Sequence, residues 1–127
     1  MTADEVQSII SYSYPLIQKY YGKGKLPIPK IDTSHKNTYA MHSGEPEATG
    51  EHDATSIAEY YKGTIYLYLP NITNEEELLR SIINEYTHYT QDSELLAKYK
   101  KIYSYDEDPN EIEAHKNEEN WKMFSQK

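Results

Sequence analysis

Fourteen of the chain's 127 residues are tyrosine, against one tryptophan and one phenylalanine, and that imbalance decides what kind of core is possible. The strongly apolar residues are 12 Ile, 8 Leu, one Val and one Phe. They make up about 17% of the chain, a share that at this net charge belongs to disordered compositions. Tyrosine tips the balance back toward folding. Its ring buries a large apolar area, and its hydroxyl needs only one partner or a water. The expectation is therefore one folded domain spanning residues 1–127, with a small tyrosine-rich core and modest stability.

The net charge of -8 argues against direct nucleic-acid binding, which normally needs a basic face. No run of about 18 apolar residues is present, so no membrane-spanning helix is expected. The opening Met1-Thr2-Ala3-Asp4-Glu5 is acidic where a signal peptide is basic, which points to a cytoplasmic protein. With no cysteine, thiolate chemistry and disulfides are excluded, and any metal must rest on His, Asp, Glu or neutral oxygen.

Thr2 and Glu5 fit a capping box, and Val6, Ile9, Ile10, Ile17 and Tyr20 follow at helical spacing up to Gly22. Pro15 should kink or divide this helix near Tyr14. Leu26 to Ile31 reads as an edge strand or extended lead-in, because Pro27 and Pro29 interrupt it. Ala40 to Asp53 reads as a turn-rich excursion. Thr64 to Leu69 is a clearer strand bounded by Gly63 and Pro70. Thr73 and Glu76 suggest a second capping box, opening a helix through Leu78, Ile82 and Tyr86 to about Gln91. A further helix is expected over Glu94 to Tyr103. After the acidic turn at Asp106 to Pro109, Asn110 is placed as the cap of a last helix reaching Ile112, Trp121 and Phe124. Residues 71–127 carry 13 acidic and 7 basic groups against 8 and 6 in residues 1–70, so the acid gathers in the helical half.

Chemistry concentrates in Asn84-Glu85-Tyr86-Thr87-His88. On a helix, residues 84 and 88 face the same way one turn apart with Glu85 beside them. That is the geometry of the His-Glu-x-x-His zinc helix, in which two ligands grip the metal and the Glu handles a proton of the metal-bound water. By chance alone a Glu-x-x-His pair is expected about 0.6 times in this composition, so context must carry the weight. That context is the strand before the helix and the later Pro109-Asn110-Glu111-Ile112-Glu113-Ala114-His115, which puts Glu111 and His115 one turn apart.

The order of strand, "LLRSIINEYTHYTQ" helix, connector and "DPNEIEAH" helix, over roughly residues 57 to 120, resembles the small zincin metallopeptidases of the gluzincin type. The resemblance implies an α+β zincin-like domain acting on a peptide or protein substrate through a zinc cofactor. Glu85 would be the general base, Asn84 and His88 would hold the two helix ligand positions, Glu111 would be the third ligand, and His115 would take the supporting position. Asn84 departs from the family's first His, and His115 departs from its Asp or Asn. An amide oxygen is a poor substitute for imidazole on zinc. Three explanations stay open: a degenerate enzyme, a His-to-Asn substitution, or a rearranged site in which His115 joins His88 and Glu111.

The resemblance also suggests Tyr103 or Tyr105 as an oxyanion donor, and the substrate is expected to add as a strand along residues 64 to 69. His35, His42 and His52 read as solvated loop histidines. A metal role for His52, beside Asp53, would need that loop to fold over the helix. An amphipathic helix with a polar face accounts for Glu85 and His88 without any metal, and the helix dipole does the same for Glu111 and Glu113. The competing function is a non-catalytic acidic binding or inhibitor protein that uses the same scaffold to engage a basic partner. The strand and helix tyrosines are expected to wall a polar groove as well as fill a core.

Overall fold

Thr2 opens the first helix as the capping box requires: its hydroxyl accepts the Glu5 N–H, and the Glu5 carboxylate accepts the Thr2 N–H. In the computed structural model, which describes residues 1–44 and 55–126, this helix (α1, Ala3–Tyr21) ends at Gly22. It runs through Pro15 undivided, contrary to the sequence expectation. The carbonyl deprived of a partner by Pro15 is that of Ser11. Both residues are exposed, so water can take the bond while Tyr14 and Ile17 stay packed on the buried face.

A short strand (β1, Lys30–Asp32) follows the prolines and lies at the edge of the sheet. The segment read as turn-rich begins inside a helix (α2, Thr38–Ser43), capped by the Asn37 side chain on the Ala40 N–H. The rest of that excursion, including His52 and Asp53, lies outside the described residues. The next two strands form a hairpin, β2 (Ala58–Tyr61) and β3 (Thr64–Leu67). Its two-residue loop is Lys62-Gly63, with φ of 48° and 86°, the backbone of a type I′ turn that matches the twist of the flanking strands.

The order β1-β3-β2, parallel and then antiparallel, puts β3 in the centre. Both edges of residues 64–67 are therefore occupied, and the expected docking of a substrate strand there is ruled out. The strand β2 forms the other edge, opposite β1. Glu59 and Tyr61 stand opposite Tyr66 and Thr64, and the Tyr68 N–H donates to the Ile57 carbonyl. Antiparallel pairing alternates, so the backbone groups of Ala58 and Tyr60 face outward.

The long helix α3 (Glu75–Thr90) packs across this sheet. Its cap sits one residue later than the sequence suggests: Asn74 accepts the Glu77 N–H, and Glu77 reaches back to the Thr73 N–H. Helix α4 (Ser93–Ile102) buries no residue. Helix α5 (Pro109–Glu118) is capped by Asp108 rather than Asn110, with Pro109 in the first turn, where its missing N–H costs nothing. Single 3-10 turns cover Tyr105–Glu107 and Trp121–Phe124. Among the described residues, no helix is long and apolar enough to cross a membrane.

The core joins Val6 and Ile17 of α1, Ile65 and Leu67 of β3, and Leu78, Ile82, Ile83 and Tyr86 of α3. Tyr14 meets Tyr86 edge-on at 5.8 Å, and Tyr86 meets Tyr89 at 5.1 Å. The hydroxyls of Tyr14, Tyr86 and Tyr89 donate to the carbonyls of Pro29, Gly22 and Leu26 respectively. Three core tyrosines thus hold the glycine- and proline-rich segment after α1, whose own Leu26 and Ile28 stay exposed.

Candidate functional site

Helix α3 turns Asn84, Glu85 and His88 toward the outer edge of β2, and α5 brings Glu111, His115 and Glu118 across from them. Glu85 is fixed by the edge strand itself, since the outward N–H of Tyr60 donates to Glu85 Oε1 at 2.9 Å. Burial pushes the Glu85 carboxyl up to about 7, and the charges of Glu111 and Glu59 add to the rise. His88 and the Tyr60 N–H oppose it. A carboxyl poised there can hold or release a proton near neutrality.

The tautomer of His88 follows from Gln91. The Gln91 amide nitrogen donates to the Asn110 carbonyl and to Glu113 Oε1, so its oxygen is the atom 2.8 Å from His88 Nδ1, and Nδ1 carries a hydrogen. His88 Nε2 then faces Glu111 Oε1 at 3.1 Å, a contact that needs a proton or another cation between the two atoms. Burial alone would lower the His88 pKa. Hydrogen bonds to Glu111 and Gln91, with the charges of Glu85 and Glu111, outweigh burial and raise it. The bond to His88 in turn holds Glu111 below its usual range against burial.

Two donors on a tetrahedral zinc at about 2.0–2.1 Å stand about 3.3 Å apart, close to the separation of His88 Nε2 and Glu111 Oε1. The other two expected ligands point elsewhere. Asn84 donates its amide to Glu118 Oε2 at 2.6 Å. His115 Nδ1 lies 3.1 Å from the same oxygen, and its Nε2 lies 2.8 Å from the Tyr105 hydroxyl. Among the described residues, no three His, Asp or Glu side chains converge on one ion position. The donor set present is one imidazole and one carboxylate, short of the three protein ligands that a catalytic zinc takes.

Glu118 is the site residue that sequence reading misses. Its position seven residues after Glu111 and three after His115 places it on the same face of α5, but a motif centred on Glu111 gives no reason to look further along the helix. Tyr105 does approach the site. Burial, and then the charges of Glu111, Glu118, Glu85 and Asp106, raise its pKa, so it stays a protonated donor. Tyr103 is exposed on the stretch after α4 and lines neither cavity beside Glu85. His35 binds Asp32 and Ser34 beside β1, and His42 binds Glu59 Oε2 at 2.9 Å, so neither reaches His88.

Two cavities flank Glu85 along the β2 edge. One, of about 280 Å³, is lined by Ala58, Arg80, Asn84, Tyr105 and Glu118. The other, of about 300 Å³, is lined by Glu59, Tyr60, His88, Lys100 and Glu111. Larger hollows of about 800 and 530 Å³ lie at the first turn of α3 and along α1. Neither contains a histidine, so the smaller pair marks the chemistry. Compared with family models, curated proteins and solved structures, the chain matches none.

Proposed function

We propose that this chain is a metallopeptidase-like, peptide-binding domain whose hydrolytic centre is one ligand short. The observation that carries the reading is Glu85, a carboxyl near neutrality held on the outward N–H of an open strand edge, with the His88–Glu111 pair beside it. A peptide in this groove would add to β2 as a fourth strand, using the outward backbone groups of Ala58 and the Tyr60 carbonyl. Glu85 Oε1 stays on Tyr60, and Oε2 holds or passes a proton at the bound peptide. Tyr105 would offer its hydroxyl to a carbonyl oxygen from the opposite wall. Zinc, in enzymes of this kind, supplies the activated water.

Asn84→His tests the reading. Supplying the missing imidazole is expected to take zinc from below about a tenth of an equivalent to near one, read by plasma mass spectrometry on the purified protein. Hydrolysis of a quenched fluorescent peptide should appear with it. A folded variant that still binds no zinc would overturn the metallopeptidase-like assignment.

A further inference from the structure

The geometry points to an extended peptide carrying positively charged side chains as the occupant of the β2 groove. This inference rests on the peptide-binding reading above and adds the class of peptide. The open edge supplies backbone recognition without side-chain preference, so selectivity must come from the walls. Glu59, Glu85 and Glu111 line one side of the centre, and Glu77, Glu85 and Glu118 line the other.

Among the described residues, no Lys or Arg lies in ion-pair contact with any of these five carboxylates. Their partners are histidines, hydroxyls, an amide and backbone N–H groups. The cations in the walls offset them only in part, since Lys100 and a protonated His88 both act on Glu111. Arg80 is paired outward with Glu76 at 2.8 Å, and Lys100 sits at the mouth on exposed α4. The Glu111 and Glu118 side chains are only 11% and 16% exposed, so their charge is poorly screened and the field is focused into the cleft.

The Tyr60 N–H is held by Glu85, so an added strand would pair through the outward groups of Ala58 and the Tyr60 carbonyl. Successive side chains of an added strand point to opposite faces, about 6.6–6.8 Å apart for every second residue. Alternate residues of one peptide can therefore present two ammonium groups to this acidic wall.

The test uses fluorescence anisotropy of the full chain in the presence of a chelator, with fluorescein-labelled heptapeptides alternating valine with lysine, glutamine or glutamate. The lysine peptide is expected to bind about tenfold more tightly than the glutamine peptide and the glutamate peptide most weakly, with the gap closing in high salt. Glu118→Gln should weaken lysine-peptide binding about two- to fivefold, and Arg80→Gln should strengthen it by a similar factor. Opposite signs are not what loss of folding produces. Equal affinity for the three peptides, or a preference for glutamate, overturns the inference while leaving strand addition standing. A lysine peptide with alternate backbone nitrogens methylated should not bind. If it binds as well as its parent, the strand-addition reading fails instead, and no binding by any peptide overturns both.

Discussion

Replacing Glu85 with glutamine should make the protein more stable at alkaline pH and change the shape of its stability profile. In the folded chain the Glu85 carboxyl is lifted from its ordinary 4.5 to about 7, so the native state holds this proton more tightly than the unfolded chain does. Stability is then fully present below the unfolded value and is lost as pH rises through the folded one. At 1.36 kcal/mol per pKa unit the loss is about 3 kcal/mol, and about 2–3 kcal/mol allowing for water in the open groove. Glutamine keeps the acceptor for the Tyr60 N–H and has no proton to lose. Removing the Glu85 charge also reduces the upward pull on His88, which flattens the profile in the same direction. Urea unfolding at pH 5 and pH 8 measures the effect: the stability of Glu85→Gln relative to the parent should rise by about 2–3 kcal/mol between the two. A difference constant to within about 0.5 kcal/mol, or one that falls, would refute the assignment of a buried, proton-holding carboxyl at this position.

Tyr86→Phe removes a hydroxyl that donates to the Gly22 carbonyl at 2.6 Å and leaves that oxygen without its partner. Urea unfolding should show a loss of about 1–2 kcal/mol at unchanged m. Gly24→Ala would place a Cβ 3.1 Å from the Tyr89 carbonyl oxygen and 3.3 Å from its ring. A thermal melt should show destabilisation equivalent to about 1 kcal/mol as the segment is pushed off Tyr89.

The helices are legible in the sequence because each carries its own pattern. Val6, Ile9 and Ile17 mark one face of α1, and Leu78, Ile82 and Tyr86 mark the buried face of α3. Errors arise where two neighbouring residues can do the same local job. Asn74 displaces Thr73 as a cap, and Asp108 displaces Asn110 because Pro109 gives up no hydrogen bond in the first turn. The strand β2 escapes a sequence reading because Ala-Glu-Tyr-Tyr has no alternation, and all four residues are half-buried in the structure. The Lys62-Gly63 turn and the pairing with β3 make it a strand, and pairing is not local. Without β2, the sequence reading leaves an open edge on β3, which lies in the centre of the sheet. Helical spacing places Asn84, Glu85 and His88 together, and the second motif brings Glu111 to His88. What spacing cannot give is rotamer choice, which here turns Asn84 and His115 onto Glu118 instead of onto the His88–Glu111 pair.

That choice bears on why the polar cluster is present at all. If the groove served stability alone, Glu85 would be the residue to replace, because a carboxyl desolvated enough to titrate near neutrality weakens the fold whenever it ionises, and an apolar or amide side chain of similar volume would not. The surrounding groups relieve that cost only in part, through the charge of His88 and the Tyr60 N–H. Glu85 has a backbone N–H, Glu111 has a histidine, and Glu118 has an amide and a second histidine. The partners of Glu85 and Glu118 satisfy hydrogen bonding while leaving negative charge in the cleft, whereas His88, its pKa raised by Glu111, balances the Glu111 carboxylate. Asn84 sharpens the point: its amide bonds Glu118 without adding charge. On the proposed reading, a groove built this way is stabilised by a positive group that enters it. A single imidazole at position 84 and a lysine-bearing peptide along β2 are therefore two probes of the same deficit, one acting at the centre and the other along its walls.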